Sequence, residues 1–354
     1  MHLQSYYYTA FLVHFVLELR SKKNGRRAGR QRYRCLSCQH SFIRKRYLSV
    51  SFSDFKIFYL YIRGLANHRY IEKTSKLSRK TVYLKFKQFF DKSVPPSAMR
   101  ELFPPPFSSN WIYGVDGKWL KRQGVFILHR DITHRINLYW SFHPAESYLA
   151  LETDLKQLVK LLGKNIPKGA VSDWKGAIVG NVNRYFGTIP HQRCLAHVVR
   201  QAKLLLPKKG PFPATLELRQ IAKELIETKN EQAMTAWFTK LGLWHDRNGW
   251  MLKVRTKGEK SQRRWWYTHG NLRRAWRLLS KDTEPFFEYL TLSVLPHSNN
   301  SLEGSFSQAV RKLHSHRGMK VNQQVSYLNW YFTFSRVKKE KDLKILWDYW
   351  RQLK

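Results

Sequence analysis

Between residues 111 and 186 the apolar residues fall in an order that few folds accommodate: three strand-like runs in succession, then helix and strand in alternation. Residues 111–115, 124–131 and 135–142 are rich in β-branched and aromatic side chains and are separated by turn formers, with Gly124 the better turn residue between the first two. Residues 148–162 place Leu151, Leu155, Leu158, Val159 and Leu162 on one helical face. A short strand over 169–173 and a helix over 177–186 follow. The series predicts a mixed α/β sheet.

Two of the strand-like runs end in an aspartate, Asp116 and Asp173. A third acid lies far downstream in His297-Ser298-Asn299-Asn300-Ser301-Leu302-Glu303-Gly304-Ser305-Phe306, which reads as a loop feeding an amphipathic helix. Leu302, Phe306, Ala309 and Leu313 form its apolar stripe, and Glu303 projects from the margin, about 100° from Leu302. Plainer roles exist for each acid. Asp116-Gly117 suits a hairpin turn, Asp173 suits a helix cap, and Asn300 with Glu303 suits a capping box. Together, two strand-end aspartates and a helical glutamate can form a divalent-metal site for phosphoryl transfer. Mg²⁺ prefers such hard oxygen ligands.

The partner is indicated by charge. Lys and Arg number 64 against 24 acids, a formal charge of +40, yet aromatics make up 15% of the chain, so basic groups alternate with core formers. Such an excess repels itself unless a polyanion is the usual partner, and nucleic acid leads. Three cysteines exclude a disulfide framework and fit a reducing compartment; the expected location is cytoplasmic and nucleoid-associated. The apolar start, residues 6–19, is broken by His14 and Glu18 and is too short to span a bilayer. It also lacks a basic leader segment, and reads as a buried helix or strand, or as an abnormal N-terminus.

Residues 1–48 form a basic, zinc-ribbon-like segment. Arg26, Arg27, Arg30 and Arg32 are candidate phosphate contacts beside Cys35 and Cys38. The C-x₂-C pair is half of a tetrahedral zinc set, and no second pair occurs, so stoichiometric zinc is not expected there. Residues 49–93 read as helix-turn-helix. Phe55, Phe58, Tyr59 and Ile62 form the first apolar face, Gly64 ends that helix, and Ser78 caps a later one. Arg79, Lys80, Thr81 and Tyr83 stand where a recognition helix meets base edges, with Lys85 beyond. An ordinary small helical bundle is the plainer reading. Prolines mark a linker over 94–109, followed by a core over 110–203, an all-helical insertion over 204–295 and a closing segment over 296–354. The insertion's Trp237, Trp244, Trp250, Trp265, Trp266 and Trp276 are read as core more than as base-stacking platforms.

At four points the chain resembles the DDE transposases of bacterial insertion sequences, of the mutator-type (MULE-like) group. These are Gly114-Val115-Asp116-Gly117; Val171-Ser172-Asp173-Trp174-Lys175-Gly176-Ala177; His191-Gln192-Arg193-Cys194-Leu195-Ala196-His197; and Asn299-Asn300-Ser301-Leu302-Glu303-Gly304 with His316-Arg317-Gly318. The resemblance spans roughly 110–335 and implies an RNase H-like fold with a helical insertion before the last catalytic helix. It implies Asp116, Asp173 and Glu303 as ligands of two Mg²⁺ (or Mn²⁺) ions, Asp116 bridging both. Cys194 and His197 match the family's C-x₂-H, whose role looks structural; at i, i+3 on a helix they could also be two ligands of an incomplete metal site. The implied activity is binding of the element's terminal inverted repeats, strand cleavage and 3′-OH strand transfer on double-stranded DNA, by a homodimer or larger assembly. The ribbon's first cysteine pair is absent, which favours an alternative: an inactive DNA-binding relic or domesticated regulator. A nuclease using the same acids without strand transfer is a third reading.

Overall fold

Strands β1 (Ser21–Arg27), β2 (Arg30–Cys35) and β3 (Ser41–Ile43) form an antiparallel sheet at the start of the computed structural model. The model describes residues 21–43, 48–105, 110–210, 212–258, 264–316 and 318–353. The apolar start, Arg20, Arg44, Lys45, Arg46 and Arg317 lie outside these. Ala28 and Gly29 both take positive φ (50° and 73°), the geometry a tight two-residue hairpin needs. That turn leaves Lys22, Lys23, Arg26, Arg27 and Arg30 exposed, with Arg32 half-buried. Cys35 is buried and Cys38 exposed.

Helices α1 (Phe52–Ile62), α2 (His68–Ser75) and α3 (Arg79–Asp91) follow. Ser51 caps α1 in a capping box with Asp54, and the Ser78 side chain accepts from the Thr81 N–H at 3.2 Å, as its position predicted. Gly64 (φ +67°) turns the chain just past α1. The inner faces of these helices do not form a core of their own. Phe55, Phe58 and Phe89 pack against the last two helices, Val321–Phe334 and Glu340–Gln352, with Phe55 and Trp330 centroids 5.5 Å apart and Phe89 and Trp350 4.8 Å apart. Trp330 Nε1 donates to Phe89 O and Tyr327 OH to Ile62 O, both at 2.8 Å. Each buried phenyl contributes about 1.5–3 kcal/mol, so residues 52–91 and the C-terminus stand or fall together.

The central sheet has strands β4 (Ile112–Trp119), β5 (Val125–Asp131), β6 (Ile136–His143), β7 (Gly169–Ser172) and β8 (His191–Arg193). Their spatial order is β6-β5-β4-β7-β8. The first three pair antiparallel, while β4–β7 and β7–β8 are parallel. Helices α4 (Tyr148–Leu162) and α5 (Gly176–Phe186) supply the crossovers that parallel pairing requires. Successive strand residues point to opposite faces. Val115, Val125 and Ile127 meet Leu151, Leu155 and Leu158 of α4, whereas Phe126 and Leu128 pack on the face of Leu302 and Phe306. Asp116 pairs with Leu128 in register and therefore faces that second side. This corrects its expected place at a strand end: β4 runs on to Trp119 because residues 116–119 pair with 125–128.

Under the sheet, Asp154 of α4 accepts from Ser141 Oγ at 2.5 Å and lies 3.2 Å from His129 Nε2 and 2.9 Å from His143 Nε2. Burial alone would raise its pKa, but these partners outweigh burial and hold it at about 2. The sign follows: this stability is present above the ordinary carboxylate range and is lost as pH falls through about 2. Removing the carboxylate strands the buried His129 imidazole and the half-buried His143, so Asp154→Ala is expected to lower the unfolding free energy by about 3–5 kcal/mol in urea titration.

After α6 (Leu195–Leu205) come α7 (Pro213–Glu224), α8 (Glu231–Asn248) and α9 (Gly270–Ser280), sharing a core of Leu195, Val199, Leu218, Trp237, Trp244 and Leu272. The expectation of an all-helical insertion is corrected by a hairpin, β9 (Arg255–Lys257) with β10 (Trp265–Tyr267). Strands of three residues are too short to show a period. Trp237 and Trp244 are core, their Nε1 groups donating to Ile221 O and Ala214 O, and Trp276 stacks on Trp244 at 5.4 Å. Trp250, Trp265 and Trp266 are exposed, with the Arg255 guanidinium 4.2 Å over the Trp265 ring. Helix α10 (Asn300–His314) returns to the sheet with Leu302, Phe306, Ala309 and Leu313 buried, and α11 (Val321–Phe334) and α12 (Glu340–Gln352) close the chain. No helix among the described residues is long and apolar enough to cross a membrane.

Candidate active site

Asp116 stands mid-strand between two glycines that make room for its neighbours. A Cβ at Gly114 would lie 3.0 Å from Asn299 Oδ1, and one at Gly117 would lie 3.2 Å from Glu146 Cδ. The Gly117 N–H donates to Asp116 Oδ1 at 2.9 Å. Burial first, then the negative charge of Asp173, and further out Glu303 and Glu146, push the Asp116 carboxyl up to about 7; the Gly117 N–H opposes them. Three acids remote in sequence therefore bear on one strand residue. The structure brings Asp116, Asp173 and Glu303 into one electrostatic neighbourhood and adds Glu146.

Asp173 follows β7 directly, and Trp174 turns the chain in a left-handed conformation (φ +67°) that a bulky residue adopts only under constraint. Trp174 N–H donates to Ser172 Oγ at 3.3 Å, and its ring meets His191 edge-on at 4.9 Å. Lys175 then folds back, its Nζ 2.9 Å from Asp173 Oδ2 and 2.5 Å from Glu146 Oε2. Burial would lower the Lys175 pKa, but these two carboxylates outweigh it and keep the ammonium charged. The Asp173 carboxylate also accepts weakly from the Lys175 N–H at 3.4 Å, so its helix-capping role is minor.

Glu303 sits in the first turn of α10, and the capping-box reading fails. The helix starts after Asn299, which has no side-chain capping bond. Glu303 Oε2 instead accepts from Arg200 at 2.5 Å, and Oε1 lies 3.3 Å from His197 Nδ1. Asn299, fully buried, fixes the start of α10: its Nδ2 donates to Val115 O and its N–H to Cys194 Sγ, both at 3.2 Å. This explains the stretch from Asn299 to Glu303 physically, because one asparagine ties the glutamate's helix to the strand of Asp116. Cys194, His197 and Glu303 lie with their donor atoms within 4.8 Å of one another.

Glu146 and Arg200 escaped the reading of the sequence. Glu146 lies between β6 and α4, where no period applies; Arg200 continues the spacing of Cys194 and His197 at three-residue steps, a signal that was there to use. Of the DNA-contact candidates, Arg79, Lys80 and Tyr83 are exposed on α3, opposite buried Val82, Phe86 and Phe89. Lys85 is engaged otherwise. Its Nζ is 2.8 Å from both oxygens of Asp54, whose pKa burial would raise but which bonds from Lys85 and Ser51 hold below the usual carboxylate range. A phosphate contact would strand that carboxylate. A scan against protein-family models finds no match for this chain, and a search of curated proteins finds none either.

A carboxyl raised to about 7 also has a stability consequence. Its stabilising balance is complete below about pH 4 and is lost as pH rises through about 7. A shift of this size is worth ~4 kcal/mol for a fully buried group; Asp116 keeps some exposure, so a third to a half of that is expected. In metal-free protein Asp116→Asn should therefore be more stable than wild type by about 1–2 kcal/mol at pH 8 and indistinguishable from it at pH 4, as read by denaturant unfolding.

Proposed function

We propose that this chain is a DNA transposase of the DDE type that cuts the ends of its own element and joins them to target DNA. The observation that carries the reading is the convergence of Asp173 and Glu303 on Asp116, whose carboxyl is pushed up to about 7 by burial first and by these negative charges after it. The strand order β6-β5-β4-β7-β8, three antiparallel and two parallel, supports an RNase H-like core carrying that triad. The donor set fits hard divalent cations: three carboxylates, of which Asp116 is pushed up to about 7 by burial and by the negative charge of its neighbours. Asp116, Asp173 and Glu303 would hold Mg²⁺ or Mn²⁺. When bound, such ions supply Lewis acidity at the attacking and leaving oxygens of an in-line displacement.

The chain's own groups do the rest. The Gly117 N–H fixes one Asp116 oxygen, Arg200 fixes one Glu303 oxygen, and Lys175 holds Asp173 against Glu146. The exposed arginines of the β1–β2 hairpin and the start of α3 would grip the duplex. Water opens the phosphodiester at the element boundary and frees a 3′-OH; that hydroxyl then attacks a target phosphodiester, and one bond forms as another breaks. The cleavage half is tested with the full chain, Mg²⁺ and a duplex carrying the DNA that flanks its reading frame. A Mg²⁺-dependent break at the boundary leaving a 3′-OH is expected; no cleavage with Mg²⁺ or Mn²⁺ would contradict the reading.

A further inference from the structure

We infer that Cys194, His197 and Glu303 form a second kind of metal site, one for a borderline-soft divalent cation of the zinc class, with a position left open to solvent. The sequence offered only two ligands, Cys194 and His197. The fold delivers the third from more than a hundred residues away, and the three donor atoms already lie within 4.8 Å of one another. Bond lengths of ~2.0–2.3 Å to a tetrahedral zinc put ligand atoms about 3.3–3.8 Å apart, so an inward shift of roughly 1 Å completes the set.

Each donor is aimed by something else. Cys194 is the residue on which α6 starts; burial pushes its thiol up, so a bound cation would displace the proton from Sγ. The Asn299 N–H, 3.2 Å from Sγ, holds it on the α10 side. Arg200 takes Glu303 Oε2 and leaves Oε1 turned toward the imidazole. There Glu303 Oε1 and His197 Nδ1 face each other at 3.3 Å, off the line of a hydrogen bond, and both are buried without a hydrogen-bond partner. Unpaired buried polar atoms are costly, and a cation between them would satisfy both. A sulfur–nitrogen–oxygen set suits zinc and its neighbours, whereas Mg²⁺ selects oxygen. His197 and Glu303 side chains retain 24% and 21% exposure, which gives the ion an entry path and room for water.

One consequence rests on the proposed function: Glu303 cannot serve both sets at once, so zinc would withdraw it from Asp116 and Asp173 and oppose Mg²⁺-dependent cleavage. The site itself is tested without DNA. The full chain carrying Cys35→Ser and Cys38→Ser, stripped of metal, is titrated with Co²⁺. A thiolate-to-cobalt charge-transfer band saturating at about one equivalent, and displaced by Zn²⁺, is expected. The band should vanish in Cys194→Ser, and cobalt affinity should fall about tenfold or more in His197→Gln and in Glu303→Gln. No band, or a band indifferent to both Cys194→Ser and His197→Gln, overturns the inference. Should Cys194→Ser fail to fold, the partly exposed His197 decides alone. Failure to bind cobalt would leave the cleavage reading standing, and failure to cleave DNA would leave this site standing.

Discussion

Asp116→Asn is expected to reduce DNA strand cleavage by at least about 10²–10³-fold while leaving DNA affinity within a factor of two or so. Asp116 is the acid on which the others converge, and its burial and its acidic neighbours leave it short of positive charge. The amide keeps the shape and loses the charge that would hold a cation, so the loss falls on the transition state and not on the phosphate contacts. Asp173→Asn and Glu303→Gln should behave alike, each removing one carboxylate of the same set. Gel-shift affinity and single-turnover cleavage on one duplex separate the two effects. Wild-type cleavage by Glu303→Gln would refute the assignment of the site. The same Asp116→Asn variant should be the more stable protein at pH 8 without metal, a pairing of lost activity with gained stability that misfolding cannot imitate.

Raising salt from 50 to 200 mM should weaken DNA binding by about 10³-fold or more, because some six phosphate contacts give a log–log slope near −5. The candidates are Arg26, Arg27, Arg30, Arg32, Arg79 and Lys80; the first three are exposed around one tight turn, and the last two open α3. The full chain is the right molecule for this measurement, since α1–α3 share their core with α11 and α12. Lys22→Ala should weaken specific and random DNA alike, whereas Arg79→Ala and Tyr83→Ala should erode discrimination between them. Lys85→Ala should leave the salt slope unchanged and lower stability instead, since Lys85 serves Asp54. Binding that is flat over this salt range would remove phosphate neutralisation from the account.

Four of the five strands of the central sheet and both crossover helices are legible from their patterns, whereas β8, three residues long, shows no period. The helix Tyr148–Leu162 was read to both ends from its leucines, and Ser78 announced α3 by its capping chemistry. Glu303 alone reads as a capping residue of its helix, and it is legible as a site residue only in company with Asp116 and Asp173. What stayed hidden depends on contacts between distant segments. Nothing local says that Glu146 will fold over Gly117, or that Phe55 will find Trp330. The place of Asp116 is hidden for a related reason: Asp116, Gly117 and Lys118 are poor strand formers and are held extended by pairing with 126–128. The β9–β10 hairpin is short and arginine-flanked, so its composition resembled the helices around it.

Joining distinguishes a transposase from a nuclease and from an inactive relic. The decisive measurement incubates the full chain with Mg²⁺, a supercoiled plasmid and a labelled duplex that ends in the flanking element sequence with a free 3′-OH. The account predicts label joined covalently to plasmid through that 3′ end, dependent on Mg²⁺ and abolished by Asp116→Asn, Asp173→Asn or Glu303→Gln. Plasmid that is bound or nicked while the label stays unjoined, under conditions where the wild-type chain holds the duplex, would contradict it.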